Sequence, residues 1–187
     1  MRRLLRFTPA IVLSALVFLR ATSYAEVTDS SAIGFTVRQV VQIAAAPEAV
    51  YNRVVNDVAH WWNPDHTFSG DASNLSIEGR ADGCFCEKLP NGGSVRHMTV
   101  VFASPGKLLR LDGAIGPMQS MAVTGTMTWT FTGSGPGTKL ELTYSVGGYS
   151  PHGLQMIAIA SDSVLKEQVG RLKSLIETGK AAPAANK

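Results

Sequence analysis

Six segments of alternating apolar and polar residues follow one another between residues 74 and 146, and one long amphipathic segment follows them. The six segments are 74–78, 83–88, 94–103, 108–113, 120–132 and 138–146. Glycine- and proline-rich turns separate several of them, most clearly at 90–93 and 133–137. Consecutive hairpins form an antiparallel sheet, and a sheet with one apolar face needs a partner to cover it. This succession predicts a curved antiparallel sheet packed on a single helix.

The flanking segments complete the predicted fold. Alternation over 35–43 indicates a first strand, after a polar leader at 26–32, and Ala46-Pro47 starts the first of two short helices. Ser150 and Pro151 form an N-cap and first-turn signal for the long helix, which Gly179 should end. The sequence therefore predicts an α+β fold: a curved antiparallel sheet of six to seven strands wrapped around a long C-terminal helix, with two short helices after the first strand.

The N-terminus has the pattern of an export signal. Three arginines precede an apolar run at 7–19, and the small residues Ser23 and Ala25 follow it two positions apart, with one residue between them. We expect cleavage after Ala25, with an uncleaved N-terminal anchor as the alternative. The predicted organisation is a signal peptide at 1–25, one domain at 33–178 and a disordered tail at 179–187. The mature chain is expected to be periplasmic or secreted.

The basic balance of the chain comes from this first segment. Four of the 17 basic residues and none of the 14 acidic ones lie within residues 1–25, so the remaining chain carries 13 basic and 14 acidic side chains. A nearly neutral domain gives no reason to expect a nucleic-acid partner. We also expect no stable membrane insertion once the signal is removed.

Three stretches resemble a known superfamily in their order and spacing: Val40–Tyr51, Gly83–Glu87 and Gln168–Lys173. The chain resembles SRPBCC proteins, which share the helix-grip fold of START domains, birch-pollen allergens and polyketide cyclases. It looks closest to the branch of homologues of the heat-shock-protein-90 ATPase activator. The resemblance implies a cavity for a small hydrophobic or amphipathic ligand, and no cofactor. Because the superfamily includes both carriers and enzymes, the fold alone does not define a reaction.

Cys84 and Cys86 are the only cysteines. Residues two apart on a regular strand lie roughly 6.5 Å apart, too far for a disulfide, so we expect thiols that are buried or bonded to a partner. A hairpin turning symmetrically at 91–92 would place Cys86 opposite His97, and Glu87 opposite Arg96 in a cross-strand pair. Cys84, Cys86 and His97 would then offer a metal or redox site, with buried thiols beside a histidine as the simpler interpretation.

The remaining candidates come from loops and strand ends. The tryptophan-rich segment 60–71 and the loop 113–121 are candidates for the cavity mouth, although packing alone also explains their aromatic and methionine residues. An enzyme of the cyclase type would need an acid or base, for which His66, His97 and Glu87 are the candidates. The predicted ligand-binding residues are Trp61, Trp62, His66, Phe85, Glu87, His97, Met118, Met121, Trp129, Tyr144 and Tyr149. The chain is therefore expected to bind a hydrophobic ligand, with a cyclase-like enzyme as the alternative.

Overall fold

The computed structural model describes residues 24–184, which form eight strands and three α-helices. The strands are β1 (Tyr24–Ser30), β2 (Gly34–Ile43), β3 (Leu75–Ile77), β4 (Cys84–Lys88), β5 (Ser94–Ser104), β6 (Leu108–Asp112), β7 (Ala122–Ser134) and β8 (Gly137–Tyr149). The helices are α1 (Pro47–Asn56), α2 (Val58–Trp61) and α3 (Gln155–Thr178). Short 3₁₀ turns occupy parts of the connections.

All strands join one antiparallel sheet in the order β1-β2-β8-β7-β6-β5-β4-β3. This arrangement, with the long helix α3, confirms the predicted α+β helix-grip fold. The sheet has eight strands rather than six or seven because β1 covers most of the segment predicted to be a leader. β1 is an edge strand with Val27 half-buried and the residues from Thr28 to Ser30 exposed, so its sequence carries no apolar alternation.

The core lies between the sheet and the helices. On α3 the buried side chains include Leu165, Val169 and Leu172, and the helix packs mainly across β2. Burying each such side chain stabilises the fold by about 1.5–3 kcal/mol relative to leaving it exposed. On β7, Met127 and Trp129 are buried as the alternation predicts. One apolar core therefore joins the C-terminal helix to the concave face of the sheet.

The start of α3 differs from the prediction. Residues 150–153 form a turn rather than the first turn of the helix, and the helix begins at Gln155. Gly153 has a φ of 71°, and its N–H donates to the Ser150 carbonyl over 3.1 Å. This left-handed residue ends the turn before a helix can form from Pro151. At the other end, Gly179 stops α3 with a φ of 77°, as predicted.

The predicted export signal at 1–25 falls almost wholly outside the described residues, as does the end of the predicted disordered tail, 185–187. Signal, domain limits and tail therefore remain predictions. Between residues 24 and 184, no helix is both long enough and apolar enough to span a bilayer.

Candidate functional site

A cavity of about 620 Å³ lies between the first turns of α3, strands β3 to β5 and the loop that joins β6 to β7. Its wall is mainly apolar and consists of Trp62, Asp65, His66, Thr67, Phe68, Leu75, Phe85, His97, Ile115, Gly116, Pro117, Met118, Met121, Met156, Ile157, Ala160, Ser161, Val164 and Leu165. Phe68 and Met156 belong to this wall and are also 52% and 75% exposed, so they mark its opening. The volume lies within the range of about 300–1,000 Å³ typical of small-molecule sites.

A carboxylate and an imidazole form a buried pair beside this cavity. His97 Nε2 lies 2.9 Å from Glu87 Oε2, and both side chains are almost completely buried. The Glu87 carboxylate also accepts hydrogen bonds from the backbone N–H groups of Phe68, over 3.1 Å, and Ser69, over 2.5 Å. Three donors therefore satisfy a charge that would be costly to bury alone.

A β-bulge places this pair on one face. Phe85 is opposite Met98 and Cys86 is opposite Arg96, so His97 is an extra residue in β5. His97 and Met98 are both buried, although neighbours on a regular strand point to opposite faces. The predicted register, with Cys86 opposite His97 and Glu87 paired to Arg96, is wrong because the symmetrical hairpin ignored this bulge. Glu87 instead faces inward and binds His97.

The protonation of the pair follows from these contacts. Burial raises the pKa of Glu87, but the hydrogen bonds from Ser69, Phe68 and His97 outweigh it and leave that pKa below its ordinary value. Burial lowers the pKa of His97, and the opposing effect of Glu87 compensates only in part. A neutral imidazole beside a carboxylate donates its proton from Nε2, which leaves Nδ1 as an acceptor. Among residues 24–184, Nδ1 has no hydrogen-bond partner.

Six of the predicted ligand-binding residues line the cavity: Trp62, His66, Phe85, His97, Met118 and Met121. Glu87 lies behind His97. The aromatic rings of Phe85 and Phe68 flank the imidazole, with centroids 5.1 and 5.9 Å from it. His66 Nε2 lies 3.4 Å from Glu167 Oε2 on α3, so this second catalytic candidate has a different carboxylate partner.

The other four predicted residues lie away from the cavity wall. Trp61 is fully buried, donates from Nε1 to the Arg53 carbonyl and packs edge-on against buried Trp129. Tyr149 is 69% exposed at the end of β8. The buried Tyr144 hydroxyl donates to the Gly113 carbonyl over 3.0 Å and accepts from the Ile115 N–H over 3.1 Å. Burial raises the pKa of Tyr144 to about 12, and the hydroxyl holds the loop that covers the cavity.

Sequence reasoning missed the helical side of the cavity and the aromatic residue at its opening. Ile157, Val164 and Leu165 belong to the apolar stripe of α3, which predicted helix burial without separating core from cavity wall. Phe68 lies in the tryptophan-rich segment that was predicted to flank a cavity, and its position in that segment was the only indication of its role at the opening.

Cys84 and Cys86 form a disulfide, contrary to the prediction. Their Cα–Cα distance is 5.3 Å, below the spacing of a regular strand on which the prediction depended, at the position where the bulge interrupts the pairing of β4 with β5. Both sulfurs lie on the outer face of β4, whereas His97 faces inward, so the three residues do not form a metal site. Residues 24–184 contain no cluster of three or more histidine, cysteine, aspartate or glutamate side chains suited to a metal ion.

Residues 34–177 match the family described as polyketide cyclase / dehydrase and lipid transport. Among curated proteins, none is significantly similar to this chain in sequence.

Several solved structures share the fold at low sequence identity. A conserved protein of unknown function from Enterococcus faecalis, EF2215, is 15% identical, with a TM-score of 0.55 over 86% of this chain and 80% of that one. CalU16 from Micromonospora echinospora is 14% identical, with a TM-score of 0.54 over 86% and 87%. The Aha1 dimer from Colwellia psychrerythraea is 17% identical, with a TM-score of 0.54 over 78% and 98%. At these identities the likeness concerns the fold.

Proposed function

This chain belongs to the polyketide cyclase / dehydrase and lipid transport family of the SRPBCC superfamily, and we propose that it binds a small hydrophobic or amphipathic molecule between the sheet and α3. The observation that carries this proposal is the apolar cavity of about 620 Å³, which opens between Phe68 and Met156. Apolar surface that a ligand removes from water stabilises the complex in proportion to its area.

The Glu87–His97 pair supports one polar contact inside this apolar wall. With its Nε2 proton directed at Glu87, His97 keeps an unpaired acceptor at Nδ1, which is buried without a ligand and becomes available to one when the ring of Phe68, stacked on the imidazole, moves aside. A buried acceptor without a partner is unfavourable, so a ligand that donates a hydrogen bond there gains affinity. The ionised Glu87 behind the ring disfavours an anionic head group by charge repulsion. The proposed ligand is therefore apolar over most of its surface and carries a neutral donor such as a hydroxyl or an N–H group.

Cavity occupancy can be tested with N-phenyl-1-naphthylamine, a neutral fluorescent probe with one N–H donor. Val164 lines the cavity from α3, whereas the preceding residue, Ser163, is exposed and lies outside the cavity wall. Val164→Trp should narrow the cavity by placing an indole across it and weaken probe binding more than about tenfold, for a loss above about 1.4 kcal/mol. Ser163→Trp is the matched control and should bind like the wild type. Equal affinity in both variants would place the probe elsewhere and refute the proposal.

The polar contact is tested with a matched pair of probes. N-methylation of N-phenyl-1-naphthylamine removes its donor while adding apolar surface. The wild type should prefer the N–H probe by about fivefold, the worth of one hydrogen bond near 1 kcal/mol. His97→Phe should abolish the preference. A wild type that favours the methylated probe would contradict the assigned role of Nδ1.

A cyclase-like activity is the alternative, and the same pair favours it. A neutral imidazole oriented by a buried carboxylate can act as a general base, with Glu87 stabilising the imidazolium that forms. His97 Nδ1 would remove the acidic proton between the two carbonyls of a β-diketone, and water would return it. Faster deuterium exchange of benzoylacetone by the wild type, lost in His97→Phe, would support an enzyme. Deuterium exchange at the uncatalysed rate would contradict the enzyme and leave ligand binding as the proposed function.

Export is part of the proposed function, on the strength of the sequence pattern before Glu26. A carrier outside the cytoplasm would start with the residue that follows the cleaved signal. N-terminal sequencing of the protein from fractionated cells tests this directly. A start at Glu26 in the periplasm or medium is expected, and full-length protein in the cytoplasm would contradict it.

A further inference from the structure

The disulfide between Cys84 and Cys86 is not used by the proposed binding function. Both sulfurs lie on the outer face of β4 and both residues are half-buried. Phe85, between them, points inward and lines the cavity. Its ring centroid is 5.5 Å from that of Trp62 and 5.1 Å from that of His97. The disulfide is therefore one residue away from the cavity wall.

This bond is poorly suited to a role as a structural cross-link. A disulfide stabilises mainly by restricting the unfolded chain, and the effect decreases as the closed loop becomes shorter. Here the loop contains a single intervening residue. The fold already has a core that joins every layer, so global stability does not explain the pair.

The surroundings of Cys86 favour its thiolate. Arg96 is directly opposite Cys86 on β5, and Lys88 lies two residues further along the same outer face of β4. Positive charges beside a cysteine stabilise the ionised sulfur. Next to Cys84, by contrast, lies Glu78, whose carboxylate is already paired with Arg80 over 2.7 Å. Cys86 is therefore the better leaving group when the disulfide is attacked.

We propose that Cys84–Cys86 is a redox-active disulfide that exchanges with dithiols, and that its oxidation state controls the Glu87–His97 pair. A thiolate of the dithiol attacks Cys84 Sγ, which breaks the bond and releases the Cys86 thiolate. The second thiol of the reductant then attacks the reductant sulfur of the mixed disulfide and releases the Cys84 thiolate. The protein gains two electrons and two protons, and the reductant leaves as a disulfide.

Coupling to the cavity runs through the bulge. The bond holds the two Cα atoms 5.3 Å apart at the position where His97 is the extra residue of β5. Without the bond, the cysteines can relax to the longer spacing of a regular strand, near 6.5 Å. His97 and Met98 face inward together only because the bulge interrupts the alternation of β5, so a change in the spacing of β4 across the bulge disturbs the position of His97. Reduction is thus expected to loosen the hydrogen bonds that Glu87 receives from His97, Phe68 and Ser69.

The experiment is a redox titration of the whole protein with reduced and oxidised dithiothreitol. Free thiols are counted by alkylation and mass spectrometry, and hydrogen exchange is measured at the Phe68 and Ser69 amides. We expect a reversible two-electron transition and faster exchange of both amides in the reduced form. Affinity for N-phenyl-1-naphthylamine should fall about fivefold, the equivalent of one lost hydrogen bond. Arg96→Gln should slow reduction on the order of threefold, with Arg80→Gln as the control.

A double variant, Cys84→Ser with Cys86→Ser, separates the bond from the reagent. This variant should show the amide hydrogen exchange and the probe affinity of the reduced wild type, with or without dithiothreitol. Two free thiols in the fully oxidised protein, or unchanged amide exchange after reduction, would overturn the inference. The proposal rests on the proposed function only for its binding readout. If the probe binds neither redox form, the proposed function fails, and the amide exchange still decides the redox inference.

Discussion

Replacing Glu87 by glutamine should destabilise the fold far more than an equally conservative change at the surface. The carboxylate accepts three hydrogen bonds in the interior, from His97 and from the Phe68 and Ser69 amides. An amide of the same shape has one oxygen and one NH₂ group, so at least one of the three donors then faces another donor. An unsatisfied buried donor costs about 1–3 kcal/mol, and the bonds that remain lose their charge assistance.

The expected loss for Glu87→Gln is about 2–4 kcal/mol in the free energy of unfolding. For a domain of this size it corresponds to a fall in Tm of roughly 5–12 °C. His97 can limit the loss by moving its proton to Nδ1 and accepting from the new amide at Nε2. That change converts the proposed acceptor at the cavity into a donor, so the preference for the N–H probe over its N-methyl derivative should then disappear.

Urea denaturation with Glu141→Gln as the matched control provides the assay. Glu141 pairs with Arg38 through bonds of 3.0 and 2.7 Å, but its side chain is 27% exposed, so its loss should cost at most about 1 kcal/mol. Equal effects of the two substitutions would refute the claim that the buried carboxylate is held by three donors. A large effect with an unchanged probe preference would mean that the amide oxygen of the glutamine faces His97 Nε2 and that the tautomer is kept.

Two further predictions concern the same region. Stability should fall as the pH drops below about 6.5, because burial lowers the pKa of His97 in the folded chain and only the unfolded chain then binds a proton there. Glu87, whose pKa is also lowered in the folded chain, adds a second loss only at pH values below its ordinary value of 4.5. Urea titrations at pH 7.5 and 5.5 check this, and a decline as large in His97→Phe as in the wild type would disprove the assignment. Tyr144→Phe should cost about 1–3 kcal/mol and speed hydrogen exchange at the Ile115 amide, whereas Tyr149→Phe should change neither.

The fold was predictable because its signals are local and repeated. Alternation along β7 places Met127, Trp129 and Phe131 in the core, and Gly179 ends α3 as its backbone freedom suggests. β1 escaped prediction because an edge strand exposes most of its side chains to water and has little apolar pattern. Ser150 and Pro151 are a valid start signal for a helix, but the left-handed Gly153 separates them from α3.

The candidate site was only partly predictable because its geometry depends on strand pairing. The sequence identifies Glu87 and His97 as acid or base candidates, but a bulge of one residue decides whether they share a face. Cys84 and Cys86 lie on either side of the same bulge, at a spacing shorter than regular strand geometry gives. The helical wall of the cavity also lacks a sequence signal, since an apolar residue such as Val164 looks the same whether it packs against the sheet or lines a void.

The central claim is that a molecule occupies the cavity beside His97, and native mass spectrometry of protein purified from its own cells tests this most directly. We expect the wild type and Ser163→Trp to carry one bound hydrophobic species per chain, and Val164→Trp, in which the indole narrows the cavity, to carry much less of it. No bound species in any of the three proteins, or equal occupancy in all of them, would contradict the account.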